Sequence, residues 1–270
     1  MTKNQDQNQL KNRNQLKNQK QLKNQKQLKN QSKSQTKNQT KNQPKNQPKT
    51  NAKTNAETNA MGVKKSGEQY FSATPSSNDE RKTLHVTLRD RDIDVQVSNG
   101  VFSASKLDLG TSVLLKHAPK PPENGRFLDI GCGWGPISLS LGLESPNAEI
   151  FAIDVNERAL ELTKLNAKNI NLKNIHTELV ENAIKNKDLE HIDLIWSNPP
   201  IRVGKEVLHE ILLTWIPRLN ENGKAYLVVQ KNLGSDSLIP WLAENLGENY
   251  IVEKYASSKG YRIIEVTKTK

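Results

Sequence analysis

The sequence predicts an α/β fold: a doubly wound, mostly parallel sheet with an antiparallel last strand, preceded by a small β-hairpin extension. Three observations predict it. From Phe127 onward, short and nearly continuous apolar runs alternate with segments of helical length, the pattern of a parallel sheet covered on both faces. The chain then closes on two extended runs around Ser257-Ser-Lys-Gly260, an antiparallel edge. Ahead of the alternation, Leu84, Val86, Leu88 and Ile93, Val95, Val97 show period-two spacing on either side of Arg89-Asp-Arg-Asp92.

Taken in order, the hairpin begins at Lys82 and Gly100-Val-Phe-Ser103 ends it. Gly110 to His117 reads as a short helix and Pro119 to Gly125 as a linker. Strands are expected at 127–130, 149–155, 174–179, 192–196, 224–230, 250–256 and 261–267. Helices are expected at 135–142, 157–169, 203–219 and 235–246.

Two polymers of different character are joined in this chain. Residues 1–60 hold 14 of the 40 Lys and Arg and 2 of the 29 acidic residues, net +12. That leaves 26 basic against 27 acidic residues, net −1, from residue 61 onward. The overall +11 therefore does not mark a basic nucleic-acid-binding domain. Leu10, Leu16, Leu22 and Leu28 recur with a period of six, which matches neither a helix nor a coiled coil. A segment of Asn, Gln, Lys and Thr buries too little apolar surface to offset roughly 1–2 kcal/mol per residue of ordering entropy. Residues 1–66 are thus expected to be a disordered tail, either a salt-dependent arm for RNA or a solvated repeat without a role. Residues 67–270 are expected to form one domain, with the β extension and short helix over 67–118 and the core over 126–270. Met61, the second of two methionines, stands where the domain begins and offers an alternative start.

The tail has no apolar core of a signal peptide, and no run of about 18 apolar residues suits a membrane. A single cysteine, Cys132, excludes an intrachain disulfide or a cysteine metal cage, and the five histidines lack ligand spacing. No metal site is expected, and the expected compartment is the reducing cytoplasm.

In a doubly wound sheet, ligands bind beyond the carboxyl ends of the strands, where the strand order reverses. Asp129-Ile-Gly-Cys-Gly-Trp-Gly135 lies at such an end. A dinucleotide fingerprint needs Gly-x-Gly-x-x-Gly, and Pro136 holds its third glycine position. The spacing of Gly131, Gly133 and Gly135 instead resembles the S-adenosylmethionine motif, which makes S-adenosyl-L-methionine the expected cofactor. Asp129 is expected to hold its methionine amino group, directly or through water. Asp154, 25 residues on at the end of the second strand of this region, can accept both hydroxyls of a ribose. Glu178 closes the third strand, placed to accept from the adenine amino group, with Glu181 one turn away as a competitor. Cys132 and Trp134 read as spacer and packing residues.

Ser197-Asn-Pro-Pro200 follows the next strand. Proline fixes φ, lacks a donor and biases the residue before it toward extended geometry. Asn198 is thereby held rigid, bordering the cofactor, with Pro199 and Pro200 presenting carbonyls and no N–H. The Asn198 side-chain oxygen and the Pro199 carbonyl can accept both hydrogens of an exocyclic amine or amide. Such a nitrogen is a poor nucleophile because its lone pair is delocalised. Holding its hydrogens tetrahedrally frees that lone pair and stabilises the charge developing in the transition state.

Over residues 68–270, an ordered series of segments resembles the ribosomal RNA small-subunit methyltransferase C family of guanine-N2 enzymes. The segments are Tyr70-Phe-Ser72, Gly100-Val-Phe-Ser103, Leu107-Asp-Leu-Gly-Thr111, the Asp129 to Gly135 turn, Asn198-Pro-Pro-Ile-Arg202, Gln230-Lys231 and Lys259-Gly-Tyr261. The resemblance implies a class I methyltransferase (Rossmann-like) fold in a short single-domain form. It also implies guanine N2 of 16S ribosomal RNA as substrate, and ribosomal RNA or the assembling small subunit as partner. Two departures stand out. Ile201 occupies the place of an aromatic that commonly stacks on the target base, and the larger relatives' second, degenerate domain is not expected here. Ile201, Arg202, Lys205 and Lys231, near predicted strand ends, are the candidates for contacting RNA. A protein glutamine amide or DNA adenine is the alternative substrate, against which Ile201 counts. A non-catalytic RNA-binding assembly factor is a third reading, against which the intact Asp129, Asp154 and Asn198 count.

Overall fold

In the computed structural model, residues 78–270 are described. The expected tail, its boundary at residue 66 and the Tyr70-Phe-Ser72 segment lie outside the described residues. The alternating residues of the hairpin form β1 (Arg81–Leu88) and β2 (Arg91–Ser98), an antiparallel sheet of their own. Arg89 and Asp90 turn the corner with φ of 45° and 65°, both positive as in a two-residue type I′ turn. The Arg89 side chain reaches past the turn. It donates to the Leu115 and Ala118 carbonyls at 2.8 and 3.0 Å and pairs with Glu144 at 2.5 Å. A cation there complements the carboxyl end of helix α1 (Leu109–His117) and ties the hairpin to the core.

The main sheet has seven strands: β3 (Asn124–Ile130), β4 (Asn147–Asp154), β5 (Ile175–Leu179), β6 (Ile192–Ser197), β7 (Leu219–Gln230), β8 (Tyr250–Ser258) and β9 (Tyr261–Lys268). Their spatial order is β5-β4-β3-β6-β7-β9-β8, and only β9 runs against its neighbours β7 and β8. Successive strand residues face opposite ways. Phe127, Trp196 and Val228 pack with α1, α2 (Pro136–Glu144) and α3 (Glu157–Asn169). Leu128, Ile195 and Leu227 pack with α5 (Lys205–Trp215) and α6 (Ser235–Leu246), which cover the other face.

Several ends shift by one to three residues from the sequence reading, β3 starting at Asn124 inside the expected linker, and three differences are larger. The helix expected over 203–219 is divided into a 3-10 turn (Ile201–Val203), α5, and a second 3-10 turn (Ile216–Arg218). Gly204 and Pro217 mark the breaks, since proline cannot donate to the preceding turn. β7 begins at Leu219, because the polar Asn220-Glu-Asn-Gly223 joins the strand where its register with β6 shifts. A four-residue helix, α4 (Val180–Ala183), follows β5 directly. The chain runs outward from β3 to β4 and β5, then returns to β6 on the other side of β3. The switch point, where such sheets bind ligands, thus lies beyond the carboxyl ends of β3 and β6.

Candidate active site

The glycine turn leaves β3 and is pinned by β4 and α3. Gly131 N and Cys132 N both donate to the Ile153 carbonyl, at 2.9 and 3.1 Å, and Gly133 N donates to Asp154 Oδ2 at 3.0 Å. Asp154 Oδ1 accepts from Asn156 N at 2.9 Å, and burial pushes the Asp154 carboxyl above its ordinary range. Gly135 caps α2 with φ 96°, and a Cβ there would meet Thr163 of α3 at 3.0 Å. Only glycine accommodates both the backbone and the helix beside it.

Asp129 is 0% exposed beneath this turn. Its Oδ2 accepts from Ser138 N at 3.0 Å and Ser138 Oγ at 2.6 Å, while Oδ1 has no partner among the described residues. Burial, with a smaller push from the Asp154 charge, raises its carboxyl to about 7. Cys132 is buried and its thiol is pushed up by that burial; Trp134 is buried and donates to the Ser103 carbonyl. Both serve packing, as expected from sequence.

Across the switch point, Ser197 Oγ donates to the Ile130 carbonyl at 2.8 Å and fastens the end of β6 to that of β3. Asn198 follows. Its Nδ2 donates to Asp108 Oδ2 at 2.8 Å and to Thr111 Oγ1 at 3.1 Å, both at the start of α1. The Pro199 carbonyl accepts from Ile201 N at 2.8 Å, so one of its two lone pairs is engaged.

A cavity of about 400 Å³ opens over both turns. Its wall contains Gly131 from the first turn, Asp154 from the end of β4, and Asn198, Pro199, Pro200 and Ile201 from the second turn. Val155 and Ile184, exposed at 41% and 46%, offer apolar surface beside Asp154 that suits a purine ring. The residues present thus fit S-adenosylmethionine. Asp129, Gly133 and Gly135 are not in this wall; Asp129 is fully buried beneath the turn, with Oδ1 unpartnered among the described residues. Glu178 is not in the wall; its carboxylate accepts from Asn186 Nδ2 at 2.9 Å. Lys205 and Lys231 are exposed outside the wall, Lys231 beside the β8–β9 turn through its N–H to the Gly260 carbonyl at 2.9 Å. Arg202 lies in the 3-10 turn that follows Pro200.

Four residues of the site, Asp108, Thr111, Phe102 and Tyr261, fall in the segments that carry the family resemblance but were given no role from sequence. The Asp-x-x-Thr pattern does signal a helix cap, and Asp108 indeed accepts from Thr111 N at 3.0 Å. Its reach to Asn198, 90 residues away, leaves no local signature. Phe102 is 43% exposed in the cavity wall, held there by Asn156 Nδ2 donating to the Gly100 carbonyl at 2.8 Å. Tyr261 enters the same wall from the start of β9.

A switch-point cavity on a seven-stranded sheet whose β9 is reversed between β7 and β8 is the architecture of class I methyltransferases. Residues 92–265 match the methyltransferase small domain, and the chain belongs to that family. It is 36% identical over 204 residues to the uncharacterized protein YbxB of Bacillus subtilis, covering 74% of this chain and 98% of that protein. It is 29% identical over 163 residues to the ribosomal RNA small subunit methyltransferase C of Psychromonas ingrahamii, covering 58% of this chain and 45% of the relative. The ribosomal RNA large subunit methyltransferase G of Vibrio parahaemolyticus is 27% identical over 181 residues, 64% of this chain and 46% of the relative. The chain therefore spans less than half the length of these two ribosomal RNA methyltransferases. Among solved structures, the Thermus thermophilus 16S rRNA N2 G1207 methyltransferase, in complex with AdoMet and guanosine, shares the fold. Its TM-score is 0.58 at 21% identity, over 73% of this chain and 52% of that one.

Proposed function

We propose that the chain methylates the exocyclic N2 of a guanine in ribosomal RNA, within the small subunit or its assembling precursor. The observation that carries this reading is the sharing of one cavity by the glycine turn and the Asn198-Pro-Pro turn. The names of the small- and large-subunit relatives support RNA as the substrate class. Gly131, Gly133, Gly135, Asp129 and Asp154 would hold the cofactor, with Glu178 acting on the adenine only through an opening of its bond to Asn186. S-adenosylmethionine supplies an electrophilic methyl group on a sulfonium.

The chain's own residues then prepare the amine. Asn198 Oδ1 accepts one hydrogen, and the second lone pair of the Pro199 carbonyl accepts the other. The nitrogen lone pair is thereby turned out of the ring, and both oxygens face the positive charge that grows as the new bond forms. The proton leaves afterwards to solvent, so no strong base is required. Lys205 and Lys231, both exposed, together with Arg202 in the turn after Pro200, are the proposed phosphate contacts, with Ile201 against the base.

Mass spectrometry of both ribosomal RNAs, with and without the gene, tests the proposal. A guanine that loses one methyl group from the small-subunit RNA is the expected result. A loss confined to the large subunit would transfer the reading to the other relative, and no lost modification would end it.

A further inference from the structure

We propose that Asp108 and Thr111 are positioning residues that lock the Asn198 amide in its working orientation. The proposal rests on the reading of Asn198 as an acceptor of amine hydrogens. An asparagine side chain is nearly symmetric in shape, and turning it over exchanges a donor for an acceptor. For hydrogen acceptance only one of the two orientations works. Here the Nδ2 group is committed twice, to the Asp108 carboxylate at 2.8 Å and to the Thr111 hydroxyl at 3.1 Å. The reverse orientation would set the amide oxygen 2.8 Å from a carboxylate oxygen, two acceptors with no proton between them. Asp108 thus excludes the non-working orientation by repulsion, and Thr111 favours the working one.

The lock is itself rigid. Asp108 Oδ2 also accepts from Thr111 N at 3.0 Å, so the carboxylate is fixed as the cap of α1. At its other end α1 is held by Arg89 through two carbonyls. The oxygen that remains, Asn198 Oδ1, lies next to Gly110 and Tyr261: a Cβ on Gly110 would stand 3.3 Å from Oδ1 and 2.9 Å from Tyr261 Cε1. The absence of that Cβ leaves room beside the acceptor. A helix of the N-terminal extension therefore sets the orientation of a group on the methyltransferase core.

Thr111→Val removes one acceptor while its backbone N–H still caps on Asp108. Asp108→Asn keeps a cap of equal quality but allows the Asn198 amide to turn over. Single-turnover methyl transfer to ribosomal RNA lacking the modification is expected to fall about tenfold for Thr111→Val and about thirtyfold for Asp108→Asn. Dissociation constants for S-adenosylmethionine should not move, and Thr111→Ser should recover most of the loss. Independently of any substrate, the Asn198 side-chain amide protons should exchange with solvent faster in Thr111→Val than in the unaltered protein. Wild-type turnover in Thr111→Val and Asp108→Asn, with Asn198→Ala inactive, would overturn the lock and leave the reading of Asn198 intact. Loss in Asp108→Asn alone would make Asp108 a direct proton acceptor, which also overturns it. Normal turnover in Asn198→Ala would overturn the reading on which the lock rests, and equal amide exchange in both proteins would remove the lock itself.

Discussion

Between Asp129 and Asp154 the donor half of the site is the work of one β-α-β unit, whereas the acceptor half gathers Phe102 with Asp108, Asn198 and Tyr261 from three distant stretches. Apart from Asp129 Oδ1, the donor half holds itself together: Gly131, Cys132 and Gly133 donate to the end of β4, and Asp154 accepts from the turn it faces. The acceptor half is held from outside the sheet, by α1 and the loop that precedes it. A half built from adjacent residues can persist as a unit. One built from remote pieces can change its specificity by altering any of them, as Ile201 illustrates.

The largest expected effect separates the halves directly. Asn198→Ala should lower turnover roughly 10²–10³-fold, the scale of one preorganised transition-state partner, with cofactor affinity nearly unchanged. Asp154→Ala should do the reverse, raising the cofactor dissociation constant first. Calorimetry paired with single-turnover transfer reads both, and a common loss in both parameters would erase the division. Next in size is Gly110→Ala. On helix propensity the change favours α1 by about 1 kcal/mol. Its methyl would nevertheless stand 3.0 Å from Asp108 Oδ2 and 2.9 Å from Tyr261 Cε1, so turnover should drop about tenfold or more while the helix holds.

Asp129 supplies the pH test. Its folded-state carboxyl, at about 7, lies above the ordinary 3.8. A raised acid contributes its stability while protonated, in full below about pH 4, and loses it as pH rises through about 7. Asp129→Asn should therefore raise the melting temperature at pH 8 and change it little at pH 4. The same substitution should weaken cofactor binding, because the ammonium of the cofactor favours the charged carboxylate. In the unaltered protein, binding below pH 7 should release a proton, seen as a buffer-dependent binding enthalpy that the substitution abolishes. The smallest effect falls on base grip: Phe102→Ala should raise the KM for RNA about tenfold, the worth of one stacked ring, without touching cofactor affinity.

The division between the halves also decided what could be read from the sequence. Gly131, Gly133 and Gly135 are neighbours in chain, and their spacing announced the cofactor turn; Asp154 lies at the end of the next strand, which the parallel pairing brings beside it. The central strands β3, β4 and β6 and the second half of β7 were legible because each carries a nearly continuous apolar run that is buried, whereas the outer strands β5 and β8 hold no buried residue and were legible from their place in the alternation. Asn198 was legible because two prolines follow it. Its partners were not, since Asp108 looks like an ordinary helix cap until the fold brings β6 against α1. Glu178 failed to reach the cavity wall for a similar reason: Asn186, eight residues later and unremarkable in sequence, engages its carboxylate. The break at Gly204 was hidden by α5, whose apolar spacing continues that of the turn before it.

The reversed strand β9 has a consequence for the order in which the enzyme comes to life. Among the described residues it is the only strand paired with β8, and, as the last strand in chain order, it carries Tyr261 into the cavity wall. During synthesis, earlier segments fold first, and long-range pairings wait for their partners. The nascent protein can thus complete its nucleotide-binding crevice while the place for the target base is still unwalled. Maturation proceeds from the donor side of the cavity to the acceptor side.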